Sequence, residues 1–285
     1  MAAELQRGGY ASLELSQVYD WGSYEKNVAE FATLVTSIQL CCPDDSLPGL
    51  ERFANLEYLT LSLDGAVKYP PDLRAFAHLK AFTAYWHRDY AKSLPSLPKL
   101  EGCTIFSFPE RDCALFASSK KLKRLSLTRG SIETLEGIQG LCLRDIELVL
   151  LSKLVDIGAV AGNKCLAGVH IENAKRIVDL APLRTCQALE RLYLFNCGRL
   201  EAIDWIASMS QMERLWIAIP VERVNWARVL KAPRLKLVGV NSPSNAFLSE
   251  DDLFRLVAEN GRTLEKLSRG GTKRSPMFIV NLAGQ

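Results

Sequence analysis

An apolar triplet at offsets 0, 3 and 5 recurs ten times between residues 35 and 240, and nothing else in the chain restricts its fold as strongly. The clearest copy is Leu122/Leu125/Leu127. The others are Val35/Ile38/Leu40, Leu56/Leu59/Leu61, Leu79/Phe82/Ala84, Leu100/Cys103/Ile105, Leu143/Ile146/Leu148, Leu166/Val169/Ile171, Leu189/Leu192/Leu194, Met212/Leu215/Ile217 and Leu235/Val238/Val240. Their starts lie 21, 23, 21, 22, 21, 23, 23, 23 and 23 residues apart, a period that marks a solenoid. Strand side chains alternate between faces, so the apolar offsets point inward and offsets 2, 4 and 6 point outward from a short strand. One copy cannot bury its apolar face alone; stacking the copies in parallel builds a common core.

Stacked strands pair on both sides, so only the two ends leave open edges, and caps are expected there. At the start, the alternation of Ser12 to Ser16 predicts an extra edge strand, and the spacing of Tyr24 to Leu34 predicts a covering helix. At the other end, Ser249 to Asp252 read as a helix start, with Leu253, Leu256 and Val257 as its apolar face and Asn260-Gly261 as its stop. Leu264/Leu267, Gly270-Gly271 and the alternating run Met277 to Leu282 predict one or two terminal strands. The division expected is one domain over 1–285, with an N-terminal cap at 1–34, repeats at 35–243 and a C-terminal capping helix and strands at 244–285.

The triplets, followed by returns such as Ile132 to Leu141, resemble the leucine-rich repeat family, in particular its short-repeat, stand-alone bacterial type. The resemblance covers about 35 to 243. It implies an α/β solenoid: an arc with a parallel β-sheet on the concave face, about ten repeats, an irregular convex side and capping elements at both ends. The chain departs from the family at offset 8, where an Asn usually satisfies the turn. That slot holds Pro43, Asp64, His87, Phe108, Gly130, Leu151, Ala174, Cys197, Pro220 and Pro243. Irregular curvature and distorted loops are therefore expected.

Composition excludes several functions. No apolar stretch approaches the roughly 20 residues that cross a bilayer, so no membrane partner is expected. The first ten residues lack a secretory core, which makes the cytoplasm the default, or a host cell if the protein is a delivered effector. A net charge of +3 with dispersed basic residues gives no stripe for nucleic acid. Of eight cysteines, Cys103 sits in a core slot and Cys197 in a turn slot, which favours buried thiols over a disulfide framework. Cys41 and Cys42 lack a second pair, so no zinc site, other metal or cofactor is expected.

The sequence also holds no phosphate-binding glycine loop, nucleophile elbow or paired zinc histidines, so no catalytic residue is assigned. Of the three histidines, His87 falls in a turn slot and His78 in a return, while His170 stands outward beside Glu172. That pair suits proton transfer in principle and a contact residue on a solvated face more simply.

The outward offsets instead map a partner-binding face. It reads Tyr58, Thr60 and Ser62, then Ala81, Thr83 and Tyr85 with Trp86, then Thr104 and Phe106, then Arg124, Ser126 and Thr128 with Arg129. The second half gives Asp145, Glu147, His170, Glu172, Arg191, Tyr193, Phe195, Arg214 and Trp216. Tyr, Trp and Arg dominate interface hot spots, so the function expected is a non-catalytic protein-interaction module, monomeric when unbound. Immunity or inhibitor protein, regulatory subunit and effector remain open. Two ambiguities remain: the aromatics are covered either by a partner or by their own surroundings, and the charges match either a partner or each other across neighbouring strands.

Overall fold

Every triplet residue whose burial is described lies in the interior, because one strand register is held from the first repeat to the last. The computed structural model describes residues 12–15, 21–40, 46–61, 67–177, 179–198, 200–241, 250–272 and 275–283. Each triplet carries one strand: β2 (Ser37–Leu40), β3 (Tyr58–Leu61), β4 (Ala81–Tyr85), β5 (Gly102–Phe108), β6 (Arg124–Gly130), β7 (Asp145–Val149), β8 (Gly168–Glu172), β9 (Arg191–Phe195), β11 (Arg214–Ala218) and β13 (Leu237–Asn241). With β1 (Ser12–Leu15) at one edge they form a parallel ladder. A second sheet pairs β10 (Leu200–Ala202) with β12 (Val221–Arg223).

The ladder aligns offset 2 with offset 2 and offset 4 with offset 4 throughout, as in Gly102↔Arg124↔Asp145↔Gly168↔Arg191 and Thr104↔Ser126↔Glu147↔His170↔Tyr193. A slip of one residue would turn a whole strand's apolar set to solvent, so burial enforces the register. A 21–23-residue period leaves little chain for the return. It is made of 3₁₀ turns such as Leu50–Arg52, Ala114–Phe116 and Asp204–Ser208, and of single α-turns such as Trp226–Val229. Each turn drops an apolar side chain into the core, Leu50, Phe116, Ile206 and Val229 among them.

The missing Asn at offset 8 leaves the strand register undisturbed. Phe108, Leu151, Ala174 and Cys197 fill that slot from inside and are buried. The bend comes one residue earlier: Ser107, Arg129, Leu150, Asn173 and Asn196, all at offset 7, hold φ between 44° and 59°. Their neighbours satisfy the turn. The N–H groups of Leu150, Asn173 and Asn196 donate to Glu172, Phe195 and Ala218 carbonyls of the next repeat at 2.8, 3.0 and 3.1 Å. The Asn196 amide donates to the Asn173 side-chain oxygen, a two-rung amide ladder displaced by one position from the family's slot.

The caps close both ends. Helix α1 (Trp21–Val28) buries Trp21 and Val28, beginning before the expected Tyr24, and a 3₁₀ turn at Ala29–Phe31 replaces its last part. Buried Glu25 pairs with Arg52 at 2.8 Å. Helix α2 (Glu250–Glu259) buries Leu253 and Val257 and stops at Gly261, φ 66°; Ser249 lies outside the described residues. The terminal hairpin of β14 (Thr263–Thr272) and β15 (Ser275–Ala283) then docks antiparallel on β13. Arg262, only 5% exposed, donates to the carbonyls of Leu235, Ala232 and Pro233, anchoring the cap to the last return. The sequence reading did not anticipate this arginine.

The expectation of buried thiols holds at Cys103 and Cys197 and needs correcting at one pair. Cys142 and Cys165 form a disulfide, their Cα atoms 5.3 Å apart. Each precedes its triplet by one residue, and parallel stacking brings equal slots of successive repeats within disulfide range. Cys103, Cys113, Cys186 and Cys197 are free and buried, and burial pushes the thiols of Cys103, Cys113 and Cys197 up to about 12.

Two stability predictions follow from this backbone. Leu150 is 41% exposed in a left-handed conformation that costs a leucine about 1–2 kcal/mol, so Leu150→Asn is expected to raise the urea midpoint by about 1 kcal/mol equivalent. Cys142→Ser is expected to lower stability by about 2–4 kcal/mol in oxidising buffer and to leave it unchanged when reductant is present.

Candidate functional site

Outward residues of β4 to β9 line a cavity of ≈ 370 Å³ on the strand face. Its floor is built of small side chains, Ala81, Gly102, Thr83, Thr104 and Ser126, because the hydroxyl and small residues of β4, β5 and β6 lie side by side in register. Its far wall is larger and charged: Asp145, Glu147, His170, Arg191 and Tyr193. Arg124 stands between the two halves.

Of the residues expected on this face, Arg124, Asp145, Glu147, His170, Arg191 and Tyr193 converge on the cavity. Tyr85 and Phe106, half-buried, stack at 5.1 Å on the offset-6 row. Phe195 meets Trp216 at 5.5 Å and His170 at 5.6 Å, forming a second aromatic group toward the C-terminal end. Trp216 lies over Gly239, where a Cβ would stand 2.7 Å from the indole. Tyr58 is 45% exposed on β3, and Arg214 is exposed on β11. Arg129 is exposed at the strand end, in the left-handed bend. Trp86 turns away: its ring meets Phe108 edge-on at 5.0 Å and rests against the core.

Two glycines escaped the sequence reading, although a glycine in an outward strand slot was the available signal. Gly168 lets Asp145 of β7 reach Arg191 of β9 at 2.7 Å across β8; a Cβ there would stand 2.2 Å from the Asp145 carboxylate. Gly102, buried between Ala81 and Arg124, lets the guanidinium lie close over the strand: a Cβ there would stand 3.8 Å from its Nε and 3.7 Å from the Ala81 Cβ.

The acidic centre is largely neutralised from within. Asp145 holds Arg191, which also reaches Glu190 at 3.0 Å. Glu147 accepts from Ser126 at 2.8 Å and faces His170 Nδ1 at 3.3 Å. Glu172 accepts from Asn173 at 3.2 Å and lies 3.5 Å from His170 Nε2, which is buried and makes no hydrogen bond. The hydrogen bond to Glu147 raises the imidazole's pKa above 6.5 against the opposing effect of burial, and the same bond lowers that of Glu147.

Chemically, Ser126 and His170 both address the same carboxylate. The hydroxyl donates to Glu147 rather than to an imidazole nitrogen, so His170 does not activate it as a nucleophile. Among the described residues, no group of three or more His, Cys, Asp or Glu side chains is placed to hold a metal ion. No described helix is long and apolar enough to cross a membrane.

No family model matches the chain, and no curated protein sequence matches it. Among solved structures, a leucine-rich repeat protein of Leptospira interrogans is similar at 13% identity and TM-score 0.51, over 83% of this chain and 74% of that one. Internalin C2 of Listeria monocytogenes aligns at 13% identity and TM-score 0.42 over 73% and 72% of the two chains. The leucine-rich repeat domain of the type III effector XopL aligns at 18% identity and TM-score 0.40, over 80% and 76%.

The His170 group makes stability depend on pH. Its imidazolium is stabilised in the folded state, so this contribution is full below pH 6.5 and is lost as the pH rises through the elevated folded pKa. The Glu147 side of the same contact is lost as the pH falls from 4.5 through that residue's lowered pKa. Urea unfolding across this range is expected to show the fall above pH 6.5 in the native protein and its absence in His170→Gln.

Proposed function

We propose that this leucine-rich repeat solenoid is a non-catalytic module that binds a protein partner along its strand face, between β3 and β11. The observation that carries the reading is the pair of aromatic groups, Tyr85/Phe106 and Phe195/Trp216, left half-exposed on either side of the cavity. Rings in such positions give large contact area at low entropic cost, and a partner that covers both groups excludes water from the charged centre. The charges then contribute orientation and discrimination more than bulk affinity.

An immunity or inhibitor protein, or a regulatory subunit, uses its binding face in this way; an effector acting on a host protein is the alternative that the same face allows. The likeness to the Leptospira protein supports the fold on which the reading rests. Solvated half-exposed rings shield one another in pairs, which reduces but does not remove the apolar surface offered to a partner.

The test is affinity capture with the native protein and with the Tyr85→Ala/Phe195→Ala double variant, folding being checked by circular dichroism. Capture is expected to fall at least tenfold, a loss of about 1.4 kcal/mol. Retained capture by a folded variant would move the binding site to the convex side or the caps.

A further inference from the structure

Once the internal pairs on the strand face are matched, Arg124 is left as the cavity-lining arginine without a counter-charge among the described residues, while Arg129 and Arg214, also without an ion pair, lie outside the cavity lining. Asp145 is taken by Arg191, Glu147 by Ser126 and His170, and Glu172 by Asn173. Arg124 has no carboxylate within ion-pair distance among the described residues. The nearby Glu101 is held by Lys123 at 2.9 Å, and that hydrogen bond is the first cause of its lowered pKa. The guanidinium lines the cavity and lies over Gly102, with its side chain exposed to solvent. Two residues further along the neighbouring strand is Thr104, in register with Ser126. Ser126 already donates to Glu147, whereas Thr104 makes no hydrogen bond through its side chain among the described residues.

Resting on the partner-binding reading above, we infer that the shallow trough beside Arg124, lined by Thr83 and Thr104, seats an acidic side chain of the protein partner, held by the Arg124 guanidinium with the Thr104 hydroxyl as a second donor. The charge complementarity is specific. A planar fork pairs with a carboxylate through two parallel hydrogen bonds. Thr83 and Thr104 leave the floor shallow, and the stacked rings of Tyr85 and Phe106 are available for an apolar residue flanking the acid. A cation from the partner is disfavoured at this point, since it would meet Arg124 directly. The acidic groups that would otherwise attract it are already occupied.

The experiment selects binders from a phage-displayed peptide library on the intact protein, then measures their affinity for Arg124→Gln and Thr104→Trp variants. Selected peptides are expected to carry a shared Asp or Glu beside an aromatic or aliphatic residue. Arg124→Gln is expected to weaken them about 10- to 100-fold, and replacing the peptide's acid by its amide should weaken binding to the native protein by a similar factor. The amide peptide should then bind native protein and Arg124→Gln alike, the signature of a coupled pair. Equal binding of the acidic peptide to native protein and Arg124→Gln overturns the carboxylate inference. If Thr104→Trp, which fills the trough, still abolishes that binding, the face is retained and only the acid is wrong. If neither variant matters, the strand-face reading falls as well.

Discussion

The strand register carries the rest of this molecule. Ten triplets pair one to one, and a shift of a single residue anywhere would exchange a strand's interior for its exterior. Removing one interior leucine costs roughly 2–5 kcal/mol in such close-packed surroundings, so ten buried sets together leave no competing alignment. The same constraint places chemically distinct residues in straight rows on the outer face, where a side chain's neighbours are those at the same offset in adjacent repeats. Asp145 and Arg191 meet because Gly168 stands between them in such a row. Cys142 and Cys165 meet for the same reason one residue before the strand.

Turn chemistry shows how a repeat tolerates the loss of a consensus residue. An Asn at offset 8 would satisfy backbone groups with its amide. In the central repeats Phe108, Leu151, Ala174 and Cys197 occupy the slot from within, and the chain bends one residue earlier, where the N–H groups of Leu150, Asn173 and Asn196 bond to the next repeat. Stacking supplies the partners that a local side chain supplies elsewhere. The bends at Leu150 and Arg129 are strained for their residue types, and both side chains stand exposed at the edge of the strand face.

On the face itself, pairing decides which charges are available. A linear reading of Asp145, Glu147 and Glu172 gives an acidic centre. The folded chain answers each with a donor or cation, and at the cavity what remains uncompensated among the described residues is the guanidinium of Arg124. His170 is held between two carboxylates with one nitrogen unsatisfied, a polar group that costs free energy where it is buried.

By itself the sequence determined the solenoid, the inward triplets, an N-terminal edge strand, a C-terminal helix and terminal strands, because a period of 21–23 residues and a two-residue alternation are properties of the linear chain. It placed Tyr85, Phe106, Phe195 and Trp216 on outward offsets by the same alternation. Only the tertiary structure decided that Trp86 turns toward Phe108, that Gly102 and Gly168 shape the cavity, that two cysteines bond and that Arg262 ties down the cap. Those outcomes depend on distances between residues about 20 to 50 positions apart, and such distances exist only once stacking has brought equal offsets together.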